Sequence, residues 1–144
     1  MTKKEKYTTP LCQEAGIKLI HFQPNKINPN GRAKDCAVRA LCRLENKDWE
    51  YIYRLLYENS VSIGDIFNTT RNLQSVLEKM NYERIKPPRG TSIARFIIDN
   101  RHGKYFICSE KHAIACINSK IYDTNFVHYD AFVSASARLI YRKK

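Results

Sequence analysis

Long apolar runs are missing from this 144-residue chain. No stretch of about 18 apolar residues occurs that would span a bilayer as a helix, so we predict no membrane segment and no membrane partner. The chain starts with Lys3, Lys4 and Lys6, but the apolar stretch of a secretory signal peptide does not follow them. These two absences favour a cytoplasmic protein.

Paired cysteine motifs are also missing. The five cysteines are an odd number and no two have Cys-x-x-Cys spacing, which argues against a disulfide framework or a redox dithiol. A reducing cytosol suits such thiols best. The chain also lacks internal repeats and low-complexity segments. The chain is long enough to bury a core, and 43% of its residues are hydrophobic. We therefore predict a single domain over residues 1–144.

Acidic residues are in the minority. The chain has 25 Lys and Arg against 14 Asp and Glu, a formal net charge of +11. A positive field attracts polyanions, so nucleic acid or an acidic host protein is a candidate partner. The densest basic groups lie at residues 3–6, 84–89 and 138–144. We single out Arg84, Lys86 and Arg89 as candidate contacts for an anion, and interpret the last group as a solvated basic C-terminal tail.

Hydrophobic periodicity predicts an α+β fold. Apolar residues at three- and four-residue intervals predict helices that begin near residues 36, 49, 72 and 93. From residue 103 the period falls to two, which predicts strands at 104–108, 112–117 and 121–123, with 138–142 closing the sheet. We therefore expect N-terminal helices packed on a C-terminal antiparallel sheet. Residues 1–27 are less regular, with one short strand near 19–22.

The most informative residue is Cys36, which follows Asp35 where a loop turns into a helix. Asp35 is a good N-cap, and a helix N-terminus favours the thiolate form of a nearby cysteine. His112 leads an apolar strand much later in the chain, and Asp123 follows it by eleven residues. A thiol, an imidazole and a carboxylate are the parts of a cysteine nucleophile, its base and an orienting group.

The register of the last predicted hairpin tests whether these groups meet. A turn at Asn118-Ser119 pairs Ile117 with Lys120 and sets Asn125 opposite His112. A turn at Ser119-Lys120 pairs Asn118 with Ile121 instead. In either register Asp123 and Asn125 lie on the same face of the sheet as His112, so an acid or an amide can orient the imidazole.

A metal site is the competing interpretation of the same residues. Cys108, His112 and Cys116 are evenly spaced and, with Cys36, amount to four zinc-type ligands. Their intervals do not resemble the usual short Cys-x2–4-Cys knuckle, and even spacing along strands places side chains on one face in any case. We predict neither a metal nor a cofactor.

The combined motifs resemble the papain-like cysteine peptidase superfamily, and within it the bacteriocin-processing branch, which also carries Asp-Cys followed by small residues. The order of motifs is similar to that of small uncharacterised proteins of phages and mobile elements. The segments that carry the resemblance are residues 28–32 (NPNGR), 35–40 (DCAVRA), 103–105 (GKY), His112 and 121–124 (IYDT).

The resemblance implies a papain-like fold with Cys36 as nucleophile, His112 as base and Asp123 as orienting acid. Papain-like enzymes place a Gln six residues before the cysteine to stabilise the oxyanion. Asn30 stands at that position here, and Asn28 is a second candidate donor.

The sequence favours a cytosolic cysteine hydrolase that cleaves a peptide or isopeptide bond in a protein or peptide substrate. The alternative is a papain-like binding protein with weak or no catalysis, for example a phage inhibitor of a host defence or nucleic-acid complex, acting through its basic surface. Acyl transfer on the same three residues is a third interpretation.

Overall fold

The computed structural model describes residues 10–30 and 34–144. Within these ranges the chain forms six helices and six strands. The helices are α1 (Pro10–Ala15), α2 (Cys36–Glu45), α3 (Trp49–Ile63), α4 (Thr70–Lys79), α5 (Ile93–Asp99) and α6 (Tyr129–Ser134). The strands are β1 (Lys18–His21), β2 (Tyr82–Ile85), β3 (Lys104–Cys108), β4 (Ala113–Ile117), β5 (Lys120–Asp123) and β6 (Leu139–Lys143).

The six strands form one mixed sheet in the order β1-β5-β4-β3-β6-β2. Four neighbouring pairs are antiparallel, but β1 runs parallel to β5, with Lys18 opposite Lys120. The α+β class is confirmed, and the four C-terminal strands pair antiparallel as predicted, but the whole sheet is mixed because β1 joins β5 in parallel. A parallel pair needs a long crossover, and the chain between β1 and β5, which contains α2–α5 and β2–β4, supplies it here.

Helices cover both faces of the sheet, so the fold has three layers rather than two. Alternate side chains of β3 show the division: Phe106 and Cys108 pack with α2, α3 and α4, whereas Tyr105 and Ile107 pack with α1, α5 and α6. Both faces are therefore buried, as the period-2 alternation of a strand requires when each face has its own core.

Side-chain caps explain where three of the predicted helices begin. Asp48 accepts the Tyr51 N–H at 2.8 Å, Thr69 caps α4, and Ser92 caps α5. Asp35 occupies the N-cap position of α2 but makes no capping bond, contrary to prediction, because its carboxylate is engaged inside the protein.

The short strand predicted near residues 19–22 and the strand predicted at 138–142 are both confirmed, whereas the interpretation of the last residues as a solvated tail is not. Within residues 1–27, the described part contains α1 and β1. The basic C-terminal tail is largely strand β6, which lies between β3 and β2 and buries Leu139, Ile140 and Tyr141. Part of the basic segment at 84–89 belongs to β2, the edge strand. Lys3, Lys4 and Lys6 lie outside the described residues.

The candidate site residues lie at one end of the sheet. This end, called here the His112 end, carries the last residues of β1, β2, β3 and β5 and the first residues of β4 and β6. Helix α2 also begins there, at Cys36. No helix in the described ranges is long and apolar enough to cross a membrane.

Candidate active site

Cys36 is the first residue of α2 and is half-buried at the His112 end of the sheet. The four other cysteines are buried. Because Cys36 begins a ten-residue helix, it lies beside backbone N–H groups that have no partner within the helix. The location is suited to stabilising a negative charge on sulfur or on an adjacent oxygen.

The β4–β5 hairpin brings His112 to Asp123. Ile117 pairs with Lys120, so the turn is Asn118-Ser119, and both turn residues have positive φ (50° and 64°). The first of the two predicted registers is therefore confirmed. Nε2 of His112 lies 2.6 Å from Oδ2 of Asp123, in the diagonal relation that this register predicts.

The His112 ring joins the carboxylate to the thiol. Its Nε2 is bound to Asp123, so Nδ1 is the nitrogen that faces Cys36. The sulfur also accepts a hydrogen bond from the Ala113 backbone N–H. Phe132 of α6 packs edge-on against the imidazole at 5.2 Å between ring centres, which fixes the plane of the ring.

The electrostatics favour a thiolate–imidazolium pair. Burial raises the pKa of Cys36, but the hydrogen bond and charge of His112, the Ala113 N–H and the charge of Arg39 outweigh it, so the pKa lies below its usual 9.0. Burial lowers the pKa of His112, but its contacts with Asp123 and Cys36 raise it to about 9. Each partner stabilises the charged form of the other.

Asp123 is held in its ionised form by an unusually complete set of donors. Burial raises its pKa, but the His112 ring, the Thr124 N–H and the Tyr129 hydroxyl lower it overall. The Thr124 N–H donates to Oδ1 at 2.7 Å and the Tyr129 hydroxyl donates to Oδ2 at 2.9 Å. The side chain is only 4% exposed, so these bonds fix its orientation as well as its charge.

Arg39 extends the cluster to a second buried carboxylate. Its guanidinium forms an ion pair with Asp35, one helical turn earlier, and lies 3.7 Å from Oδ1 of Asp123. The result is an alternating chain of charges from Asp35 through Arg39, Asp123 and His112 to Cys36. We call these five residues the buried charge cluster.

Asp35 is tied to the surrounding fold by two neutral donors. The Trp49 indole N–H donates to its Oδ2 at 2.8 Å, and the Asn25 side-chain amide donates to the same oxygen at 3.1 Å. Asn25 itself is buried and accepts the Asn28 backbone N–H, which orders the loop before the helix. Asp35 therefore joins this loop, α2 and α3 directly behind the thiol.

Sequence reasoning missed Arg39, Trp49, Asn25 and Tyr129. A signal for Arg39 was present, because an Arg four residues after an Asp forms a helical ion pair, and here it falls among apolar neighbours on the buried face. No comparable local signal identifies the other three. They reach the cluster from α3, the loop after β1 and α6, and only the fold brings them there.

The predicted amide residues lie away from the sulfur. Asn28 and Asn30 are exposed in the turn before α2, and no described contact joins either side chain to Cys36. Asn125 is exposed too, and its side chain accepts the Val127 N–H at 2.9 Å. Of the two candidates for orienting His112, Asp123 is the one in contact with the ring.

An apolar cleft of about 250 Å³ opens beside Cys36. Val38 of α2, Leu56 of α3, Leu73 of α4 and Phe67 of the α3–α4 loop line it. Asn72 fixes this loop, because its buried amide donates to the Phe67 carbonyl at 2.8 Å and to the Leu56 carbonyl at 3.0 Å. A large apolar side chain fits next to the sulfur at this position.

The other cysteines differ from Cys36 in environment. Burial raises the pKa of Cys42, Cys108 and Cys116 to about 12. Cys108 and Cys116 pack on opposite faces of the sheet, so the evenly spaced zinc set does not converge. Within the described ranges no group of three His, Cys, Asp or Glu side chains is arranged to hold a metal ion.

The three predicted anion contacts lie together, but not at the thiol. Arg84, Lys86 and Arg89 line a second cavity at the same end of the sheet.

No protein-family model matches the chain, and neither the curated proteins nor the solved structures give a significant match. The functional argument therefore rests on the geometry and electrostatics of the site.

Proposed function

We propose that this protein is a cysteine hydrolase that cleaves a peptide or isopeptide bond, with Cys36 as nucleophile, His112 as general acid–base and Asp123 as the orienting carboxylate. The observation that carries the proposal is the hydrogen-bonded series Cys36–His112–Asp123, in which the pKa of the thiol is lowered and that of the imidazole is raised to about 9. A nucleophile, a base in contact with it and a third group behind the base are the requirements of covalent acyl transfer.

The reaction runs in two halves. The Cys36 thiolate adds to the substrate carbonyl, and the tetrahedral intermediate collapses to a thioester as the His112 imidazolium gives its proton to the departing amine. Water then attacks the thioester while neutral His112 takes its proton, and collapse releases the acid and the thiolate. Asp123 keeps Nδ1 of the ring aimed at the sulfur and favours the imidazolium.

The oxyanion is stabilised in this proposal by backbone rather than by Asn30 or Asn28. The Cys36 N–H belongs to the first turn of α2, where N–H groups are free of helical partners and the helix dipole is positive. Such N–H groups stabilise the oxygen of a tetrahedral intermediate.

The apolar cleft suggests what the substrate presents. Its lining of Val38, Leu56, Phe67 and Leu73 lies beside the sulfur, so a large apolar side chain next to the scissile carbonyl is the favoured substrate feature. A papain-like relationship is part of the proposal, supported by a cysteine at a helix start and a His–Asp pair on neighbouring strands. None of the cysteines forms a disulfide within the described residues, which suits a reducing cytosol.

Alkylation of the intact protein with iodoacetamide, followed by mass spectrometry of each cysteine, tests the proposal. At pH 7 we expect Cys36 to react at least 100-fold faster than Cys42, Cys108 or Cys116, since the thiolate is the nucleophile. His112→Ala should slow Cys36 by about tenfold or more. His102→Ala, which changes an exposed histidine at the far end of the sheet, is the matched control and should leave the rate unchanged. Equal labelling of all the cysteines would contradict the proposal.

The second candidate function is binding without catalysis, and the second cavity, which Arg84, Lys86 and Arg89 line, favours it. In that case Cys36→Ser would keep the full biological effect, whereas reversing the charges of Arg84, Lys86 and Arg89 would abolish it. Loss of the effect in Cys36→Ser favours hydrolysis.

A further inference from the structure

A second concavity, of about 550 Å³, lies at the His112 end of the sheet. Its charged lining residues are Arg84 and Lys86 from the end of β2, Arg89 from the loop before α5, Arg138 from the start of β6, and Glu110 from the β3–β4 turn. We call it the basic cavity. It has the size of a ligand pocket rather than of a packing defect.

The cations of the basic cavity are not neutralised within the protein. Arg54, Arg95 and Arg142 each form an ion pair with a nearby carboxylate. By contrast, within the described residues no ion pair involves Arg84, Lys86, Arg89 or Arg138, all of which are exposed. Four like charges around one concavity, with Glu110 as the sole acidic lining residue, create a field that favours an anion.

The chain ties the basic cavity to the candidate active site. Glu110 lies two residues before His112, in the turn that joins β3 to β4. The Arg138 N–H donates to the Cys108 carbonyl at 2.8 Å, at the base of the same turn. Both sites are therefore built on one edge of one sheet.

The strand order sets the distance between the two sites. β4 and β2 are separated by three strand spacings, through β3 and β6, which is about 14 Å. An extended polypeptide advances about 3.3 Å per residue. Four or five extended residues of a bound substrate therefore span the sheet from β4, which begins directly after His112, to β2 on the far side of the basic cavity.

We infer that the basic cavity binds an acidic segment of the polypeptide substrate, four or five residues from the bond that is cleaved. The inference rests on the proposed function and adds a second recognition element to it. Guanidinium groups bind carboxylates through charge-assisted hydrogen bonds, and Ile85 and Ile140 give the cavity an apolar floor suited to a peptide. None of its lining residues in the described part of the chain is aromatic, whereas single-stranded nucleic acid is bound with stacking side chains.

Electrophilic peptides of defined spacing test the inference. Each carries three Glu residues placed one, four or ten residues from a reactive group, which is a C-terminal chloromethyl ketone in one series and an N-terminal chloroacetyl in the other. Matched peptides carry Gln in place of Glu. We expect the four-residue Glu peptide of one series to label Cys36 about tenfold faster than its Gln counterpart, with little advantage at the other spacings.

Charge reversal assigns the effect to the basic cavity. Arg84→Glu and Arg138→Glu should remove the preference for Glu peptides. Lys104→Glu is the control, because Lys104 is an exposed cation at the opposite end of β3. Equal labelling by Glu and Gln peptides at every spacing in both series, or an equal effect of Lys104→Glu, would overturn the inference.

A binding measurement separates this inference from the proposed function. Fluorescence anisotropy with a labelled triglutamate peptide that lacks the reactive group, measured on Cys36→Ala protein, requires no chemistry. Binding that Arg84→Glu abolishes supports the basic cavity even if Cys36 proves unreactive, and absence of binding overturns the cavity while leaving the thiol result intact. Tighter binding of a labelled 12-nucleotide oligothymidylate, lost in the same variant, would overturn the peptide assignment in favour of nucleic acid.

Discussion

The buried charge cluster and the basic cavity lie on the same edge of the sheet, yet they treat charge in opposite ways. In the cluster every charged group faces an opposite one, from Asp35 through Arg39 and Asp123 to His112 and Cys36. In the cavity four exposed cations form no ion pair with any described residue. The first arrangement is complete in the free protein, and the second is not.

This difference indicates how each region works. Buried charges are costly unless paired, so the cluster holds one geometry and keeps the thiolate ready for reaction. Solvent stabilises exposed charges that have no partner, but like charges still repel one another. A bound anion therefore reduces this repulsion. In our proposals the first region carries out the chemistry and the second selects the partner.

Removing the central cation of the cluster should have the largest effect on stability. Arg39→Met leaves two buried carboxylates without their shared partner, and we expect a loss of about 3–5 kcal/mol in the free energy of unfolding, measured with urea. Arg95→Met, which breaks the exposed pair with Asp99, is the control and should cost far less.

A double variant checks that the loss comes from unpaired charge. Asp35→Asn combined with Arg39→Met should recover a large part of it, because the neutral amide no longer needs a cation. A double variant as unstable as the sum of the two single ones would show that Arg39 acts through packing alone.

The pH dependence of alkylation sharpens the role of His112. In the wild-type protein the pKa of Cys36 is lowered, so iodoacetamide should react with it well below pH 9.0. Burial raises the pKa of Cys36, and His112→Ala removes the main interaction that lowers it. The midpoint of the pH–rate profile should therefore move to higher pH. Each pH unit of displacement corresponds to about 1.4 kcal/mol of thiolate stabilisation. An unchanged midpoint would mean that His112 does not activate the thiol.

The pH–rate profile of substrate cleavage should have a second, descending limb on the alkaline side. Breakdown of the tetrahedral intermediate requires protonated His112, whose pKa is raised to about 9. Turnover should therefore rise with thiolate formation and fall as the pH passes about 9, whereas alkylation should not fall.

The basic cavity should respond least to substitution in the absence of a partner. Arg84→Gln, Arg89→Gln and Arg138→Gln each remove an exposed, unpaired charge, so we expect changes within about 0.5 kcal/mol of wild type in urea unfolding. Relief of repulsion favours slight stabilisation. A loss well beyond this range at any of the three would place that arginine in the internal structure.

Local patterns were sufficient to predict much of the site. Hydrophobic periodicity placed helix starts near residues 49 and 93, and both of the hairpin registers left open put Asp123 on the same face of the sheet as His112. These features depend on residues close in sequence, where capping and strand alternation leave few choices.

Non-local pairing was not predictable in the same way. Nothing in residues 18–21 indicates a parallel partner about a hundred positions later, and the four-residue edge strand β2 was not among the predicted strands. Asp35 was interpreted as a cap because its usual local role is capping. Its engagement by Trp49 and Asn25 follows from how α3 and the loop after β1 pack, which no short motif encodes.

The β4–β5 hairpin also has a consequence for how reactivity arises during folding. Its partners are near in sequence, so it can close within microseconds, bringing His112 to Asp123 early. Cys36 joins them only when α2 docks on the sheet, and the parallel β1–β5 pairing closes over a far longer loop. We expect the Cys36 thiol to have the low reactivity of an ordinary cysteine until α2 has docked and β1 has paired with β5. The nascent chain then carries no activated thiol while its own segments are exposed. The onset of fast alkylation in a refolding experiment marks the moment at which the native fold has formed.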